Sequence, residues 1–337
     1  MNNKLIIFGP WCGEFSYETN WWIPEIRQMR NTEFKDWNAI AIGYDGRKIL
    51  YEDFTDGYIP YPKEIEDTLL YSATYGQHIE GRGDIIPDNC SDFTRDIAEL
   101  YYQKDDFEKR NDIKIYYPGI MPINRERVFA DEPFGEFKHY KAKQEILDSV
   151  REEITFDNDR ETITLMARIR FRRGKVDPFD WNPKHWEAFV DMLVNDLKVN
   201  VVTIGIPLPP NSSSGGSLSM KDTEMYKRNK KYIKPIIFSG EDSVERQIAL
   251  LQLTRCSIYS STGAVGLAYF TKGTSIFTQT TSEQSHRLKW KWKRDLTDNL
   301  KRVKIFDKYS NNEIYNSPPD ELFNAFKVFY EEIVSND

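Results

Sequence analysis

Cysteine is scarce in this chain of 337 residues: Cys12, Cys90 and Cys256 are far apart and form no C-x-x-C pair. That spacing argues against a disulfide framework or a thiolate zinc site and fits a reducing compartment. The four histidines (His78, His139, His185 and His286) are equally scattered, so no structural metal is expected. No run of about 18 apolar residues occurs, which excludes a membrane-spanning helix. The opening M-N-N-K-L-I-I-F-G runs straight into a strand pattern and lacks the zones of a secretion signal. A cytoplasmic protein without a membrane partner is the expectation.

An overall positive charge is missing too. The formal net charge is −7, which is not the bulk signature of a nucleic-acid binder. Basic residues are clumped nonetheless. Arg168, Arg170, Arg172, Arg173 and Lys175 form one cluster, and Lys227, Arg228, Lys230, Lys231 and Lys234 a second. A third runs from Arg287 through Lys289, Lys291, Lys293 and Arg294 to Lys304, with Trp290 and Trp292 interleaved. Such patches attract phosphates, or else they are solvated loops and helix faces. The Trp-Lys repeat suits backbone and stacking contacts with nucleic acid; equally it fits an amphipathic strand with its tryptophans inward.

What is present is an alternation of buried strands and amphipathic helices. Lys4–Phe8 and Asn38–Gly43 read as buried strands, with a helix between them over about 16–29 that Pro24 kinks or restarts. From Tyr44 to about Lys143 the pattern weakens, with helices expected near 92–102 and 141–152 and a strand at 113–117. Order returns with a strand over 162–169, a helix over 183–197 and a strand over 200–206. A Pro/Ser/Gly loop follows at 207–219, then a strand at 235–239 and a helix at 243–253. The last helix spans 318–334 with Phe323, Phe326 and Phe329 on one side. This alternation predicts an α/β protein with doubly wound parallel sheets. The expected organisation is an N-terminal domain over 1–145, a linker around 141–161, a second domain over 160–317, and a final helix, 318–337, packing back on the first domain.

The most informative stretch is 256–279, C-S-I-Y-S-S-T-G-A-V-G-L-A-Y-F-T-K-G-T-S-I-F-T-Q. A short strand meets Ser260, Ser261, Thr262 and Gly263, an apolar helical stretch follows, and a second strand occupies 275–278. A strand that ends in small hydroxylated residues and opens a helix presents backbone N–H groups to an anion. The pattern suits the diphosphate of a nucleotide-linked substrate; it also suits an ordinary βαβ turn with a Ser/Thr cap. The G-x-G-x-x-G fingerprint is absent after the first strand, which lowers a dinucleotide-cofactor reading. Asp157-Asn158-Asp159 matches D-x-D but reads as a solvated acidic turn.

Two stretches resemble the GT-B glycosyltransferases, enzymes with two Rossmann-like domains facing across a cleft. I-T-L-M-A-R-I-R (163–170), Trp181, Trp186, V-V-T-I-G (201–205) and S-S-T-G-A-V-G-L-A-Y-F-T-K-G-T (260–274) are similar to heptosyltransferase-like and fucosyltransferase-like donor domains. F-G-P-W-C-G-E-F-S-Y-E (8–18) resembles the opening loop of bacteriophage enzymes that glycosylate 5-hydroxymethylcytosine in DNA, the arabinosyltransferases in particular. The resemblance covers about half of the chain. It implies a metal-independent transferase with a nucleotide sugar such as UDP-arabinose as co-substrate, no further cofactor, and hydroxymethylated DNA as acceptor; a glycan acceptor and a non-catalytic nucleotide- or DNA-binding module are the alternatives.

Sugar transfer needs a base for the acceptor hydroxyl and a stabiliser for the leaving diphosphate. Glu14, following Gly13 in the loop after the first strand, is the candidate base, with Glu18 to orient or share the work; each could instead cap a helix. Arg168 and Arg173 are assigned to the diphosphate together with Gly13, Ser260, Ser261, Thr262 and Gly263. Arg170 and Arg172 are left to donor or acceptor. Glu241, at the start of the 243–253 helix, is a candidate for the ribose hydroxyls or a helix cap. Tyr17, Trp21 and Trp22 are stacking candidates for an acceptor base, against a plain core role.

Overall fold

A computed structural model describes residues 4–13, 15, 18–71, 86–104, 112–118, 135–169, 171–172, 175–176, 180–205, 216–217, 220–221, 223–260, 267, 271, 273–278, 303–309 and 313–335. The chain divides into two compact units. The first is Met1–Lys138 together with Ser239–Val244, and the second is His139–Phe238 with Glu245–Asp337.

The first unit carries strands β1 (Lys4–Phe8), β2 (Asn38–Gly43), β3 (Gly57–Pro60) and β4 (Asp112–Tyr116), with helices α1 (Ile23–Asn31), α2 (Lys63–Tyr71) and α3 (Asp88–Lys104). The sheet order is β3-β2-β1-β4, all parallel. Its two central strands are buried almost throughout, which is why they read as unbroken apolar runs. A π-helical turn, Glu18–Trp22, precedes α1, and Pro24 sits in the first turn of α1, where its missing N–H costs nothing. The expected single helix over 16–29 is therefore a π-turn joined to an α-helix. Trp22 lies fully buried in a stack, 5.6 Å from Trp11 on one side and 5.8 Å from Tyr116 on the other. Its surroundings settle the choice between platform and core: Trp22 is core.

The second unit begins with α4 (Gln144–Ile154), inside the stretch expected to be a linker. Then come β5 (Thr162–Met166), the short strands β6 (Arg168–Ile169), β7 (Phe171–Arg172) and β8 (Lys175–Val176), helix α5 (Pro183–Asn195) and β9 (Asn200–Ile204). They are followed by β10 (Gly216–Ser217), α6 (Glu224–Asn229), β11 (Ile233–Ile236), α7 (Ser243–Leu253), β12 (Ser257–Ser260), β13 (Ser275–Thr278), β14 (Val303–Ile305) and α8 (Pro319–Ser335). The main sheet is parallel with order β11-β9-β5-β12-β13-β14.

Asn182 caps α5 by accepting from the Lys184 N–H, with Pro183 at the first position. Pro235 is tolerated in β11 because that strand lies on the sheet edge. The strand expected over 162–169 breaks at Ala167. Its neighbours explain the break: β9 pairs no further than Leu165 and β12 no further than Met166. Beyond them the chain leaves the sheet, and Arg168–Ile169 pairs antiparallel with Gly216–Ser217 instead.

The core of this unit gathers Ile163, Leu165, Val201 and Ile258 from the sheet with Trp181, Trp186 and Phe189. Trp181 and Trp186 meet edge to face at 4.8 Å, and the Trp181 indole donates to the Ser317 carbonyl at 2.7 Å. Phe326 packs against Phe189 at 6.4 Å, and Leu322, Phe323, Phe329 and Tyr330 join the same core. The final helix groups with the second unit, because its aromatic face is buried against α5. No helix among the described residues is long and apolar enough to cross a membrane.

Candidate active site

Each parallel sheet has one place where the chain reverses its direction of winding, and open α/β sheets bind ligands there, outside the carboxyl ends of the strands. In the first unit the chain winds from β1 through β2 to β3, then returns to place β4 on the other side of β1. The reversal lies between β1 and β4. In the second unit it winds from β5 through β9 to β11 and returns to place β12 on the other side of β5. The first crevice is opened by residues 9–13, the second by residues after Met166 and Ser260.

The loop after β1 is held rigidly. Gly9 donates to the Tyr116 carbonyl at 3.0 Å and Trp11 to the Ile42 carbonyl at 3.0 Å. Gly9 has φ +144°, and an added Cβ would stand 2.8 Å from the Ile42 oxygen, so glycine is required. The Tyr61 hydroxyl donates to the Trp11 carbonyl at 3.0 Å and the Tyr44 hydroxyl to the Cys12 carbonyl at 3.0 Å. Tyr58 in turn donates to the Tyr44 carbonyl at 2.5 Å. Gly13 is buried, and a Cβ there would meet the Trp11 ring at 2.8 Å. That contact gives Gly13 a packing reason of its own, beside the donor role expected for it.

Glu18 is wholly buried. Its carboxylate pairs with the Arg47 guanidinium and accepts from the Tyr51 hydroxyl at 2.5 Å. The Arg47 guanidinium lies over the Tyr44 ring at 4.1 Å and the Phe15 ring at 5.1 Å. Burial raises the Glu18 carboxyl, an effect that Arg47 and the Tyr51 hydrogen bond oppose. Burial likewise lifts Tyr51 and Tyr58 well above the usual phenol range, with the Glu18 charge adding to it. A carboxylate sealed in this way cannot reach an acceptor hydroxyl. Of the two parts expected of Glu18, orienting Glu14 or sharing its work, these contacts favour the first: Glu18 is an anchor of the loop. Sequence reasoning had no route to it, because Arg47 and Tyr51 follow 29 and 33 residues later. Glu14, Tyr17 and the side chain of Trp21 lie outside the described residues.

At the second crevice Ser260 is fully buried, and its hydroxyl donates to the Met166 carbonyl at 3.2 Å. It pins the carboxyl end of β12 to that of β5. The hydroxyl expected to meet the donor is thus engaged within the sheet. Arg168 and Arg172 lie on β6 and β7, but their side chains, like Arg170, Arg173, Ser261, Thr262 and Gly263, lie outside the described residues. The backbone position of Arg168, two residues past the end of β5, sets it beside the reversal.

Glu241 does not open a helix. It stands exposed in a turn after Gly240, whose φ is +82°, and α7 begins at Ser243. That turn is grouped with the first unit, where Val244 donates to the Gly46 carbonyl at 3.3 Å. The D-x-D segment is a bend with Asp157 and Asp159 exposed, while the Asn158 side chain accepts from the Asn200 amide at 3.0 Å. Among the described residues no group of three or more His, Cys, Asp or Glu could hold a metal ion. A polar cavity of about 360 Å³ opens in the first unit at the opposite, amino edge of the sheet. Two of its lining carboxylates are in ion pairs, Asp56 3.6 Å from Arg30 and Asp53 3.2 Å from Arg27.

No protein-family model and no curated protein matches this chain. Solved structures do. The chain is similar to ADP-heptose lipopolysaccharide heptosyltransferase II of E. coli, with 10% identity, a TM-score of 0.54, and 98% of this chain covering 99% of that one. A family 9 glycosyl transferase of Veillonella parvula matches with 12% identity and a TM-score of 0.48, covering 98% of this chain and 99% of that one. The likeness to the E. coli structure concerns the fold: two parallel α/β sheets of the GT-B type.

Proposed function

We propose that this chain is a metal-independent, nucleotide-sugar-dependent glycosyltransferase that moves a pentose such as arabinose from a UDP donor to the hydroxymethyl group of 5-hydroxymethylcytosine in DNA. One observation carries the class: both sheets reverse their winding, the loop after β1 leaves one reversal through Gly13, and Arg168 and Ser260 stand at the other. The similar E. coli protein is named for transfer from a nucleotide sugar, which supports the same class here. The DNA acceptor and the pentose are supported by the likeness of 8–18 to the opening loop of the bacteriophage enzymes, and by basic clusters on an otherwise acidic chain.

In this reading Glu14 takes the proton of the acceptor hydroxyl as its oxygen bonds the anomeric carbon. The bond from that carbon to the diphosphate breaks, and its electron pair leaves on the diphosphate oxygen. Arg168 and Arg173, with the amides of Ser261, Thr262 and Gly263, receive the growing charge. Glu241, Arg170, Arg172, Tyr17 and Trp21 are carried as donor and acceptor contacts. A target base leaving the stack would bring its hydroxymethyl group to Glu14.

A glycan acceptor is the second reading, favoured by the lipopolysaccharide named for the similar structure. A panel of UDP- and GDP-sugars with hydroxymethylcytosine DNA and with oligosaccharides, read by mass spectrometry of nucleosides and glycans, separates the two. A pentose mass added to the modified nucleoside is the expected result. Transfer to oligosaccharide alone would move the acceptor to glycans, and donor binding without any transfer would leave a binding module.

A further inference from the structure

The ion pair that removes Glu18 from acceptor chemistry gives the loop after β1 a second fixed end. On the near side the Trp11 and Cys12 carbonyls are held by the hydroxyls of Tyr61 and Tyr44. On the far side Glu18 is held by Arg47 and Tyr51. Every one of these four anchors comes from the segment 44–61, and Glu14 lies in sequence between the two held ends. Arg47 serves both: its guanidinium pairs with Glu18 while lying 4.1 Å over the ring of Tyr44, whose hydroxyl holds Cys12.

We infer that Arg47 is a positioning residue for the proposed transfer, which holds the loop after β1 at Cys12 and at Glu18, the two ends between which Glu14 lies in sequence, by pairing with Glu18 and stacking on Tyr44. The inference rests on Glu14 acting as base in the proposed reaction. Arginine is required for this because one planar group must both pair with a carboxylate and stack on an aromatic face, and lysine offers neither the fork nor the flat surface. A surrounding wall of phenols and aromatic rings keeps water from competing for the carboxylate.

Arg47→Lys in the full chain tests it with two readouts. The first needs no substrate: labelling of the buried thiols by a disulfide reagent, with Cys12 beside the clamp and Cys256 in the second unit as internal control. The expected result is Cys12 labelling at least tenfold faster than in the wild type, with Cys256 unchanged. The second is transfer from UDP-arabinose to a hydroxymethylcytosine duplex, where kcat should fall more than tenfold and the donor KM stay within twofold. Tyr51→Phe removes only one hydrogen bond to Glu18; it should shift both readouts the same way by about threefold, and it serves if the lysine variant fails to fold. Cys12 as protected as before, Cys12 and Cys256 accelerating together, or an unchanged kcat would each overturn the inference. A wild type that transfers nothing would instead count against the proposed function, and Cys12 labelling would still decide whether Arg47 holds the loop.

Discussion

The two sheet reversals are built from different materials. In the first unit the carboxyl edge is tied by phenol hydroxyls and a sealed ion pair, Tyr44, Tyr58 and Tyr61 on backbone carbonyls and Arg47 on Glu18. In the second the tie at the carboxyl edge is one small hydroxyl, Ser260 on Met166, while further small-hydroxyl pairs, Ser257 with Ser275 at 2.6 Å and Thr164 with Thr254 at 2.9 Å, lie toward the amino ends of the strands. The first arrangement holds one loop at Cys12 and Glu18 with several long side chains, which suits the proposed role of Glu14 as a base that must meet a proton at a set distance. The second pins the carboxyl ends of β5 and β12 with one small hydroxyl, and in the proposed reaction the segments beyond supply amides and guanidinium groups to an anion.

Removing Glu18 should separate the two units most sharply in stability. Glu18→Ala leaves the Arg47 charge buried without its partner, a loss of about 3–5 kcal/mol, measurable by urea unfolding. The pH dependence has a definite sign. Burial raises the Glu18 carboxyl, so between the usual carboxylate range and the raised value the folded chain keeps a proton that the unfolded chain has released. That contribution is present at low pH and is lost as pH rises through the raised value. Glu18→Gln should flatten the slope there; an unaltered slope would mean that Glu18 is not its source.

At the second reversal the larger effect should be on binding. Arg168→Ala is expected to weaken UDP by about 2 kcal/mol, roughly thirtyfold, if a charged hydrogen bond to the diphosphate is lost. Isothermal calorimetry reads it directly, and an unchanged affinity would remove Arg168 from the donor site. Ser260→Ala should be milder, about 1 kcal/mol of stability from one buried hydrogen bond, with UDP affinity retained. A large loss of UDP affinity with stability intact would return the Ser260 hydroxyl to the donor.

Much of the fold was legible because its central strands are buried on both faces. Lys4–Phe8, Asn38–Gly43 and Asn200–Ile204 stand out as apolar runs for that reason. β3 and α2 were not legible, since Gly57–Pro60 is only half-buried on a sheet edge and carries no clear period. The end of β5 was overrun by three residues because Arg168 and Ile169 are extended as expected, yet pair with a different strand. In the candidate site, the end of β1 before the 9–13 loop and the strand end at Ser260 could be read from local sequence. The direction of the Ser260 hydroxyl and the partners of Glu18 could not. Both depend on atoms far along the chain, 94 residues away for Met166.

The central claim is that the loop after β1 carries the base and the second sheet holds the nucleotide. Comparing wild type with Glu14→Gln for sugar transfer and, in parallel, for UDP-sugar affinity tests it most directly. Transfer lost by at least a hundredfold with affinity nearly intact is the expected result. Full transfer by the glutamine variant would contradict it.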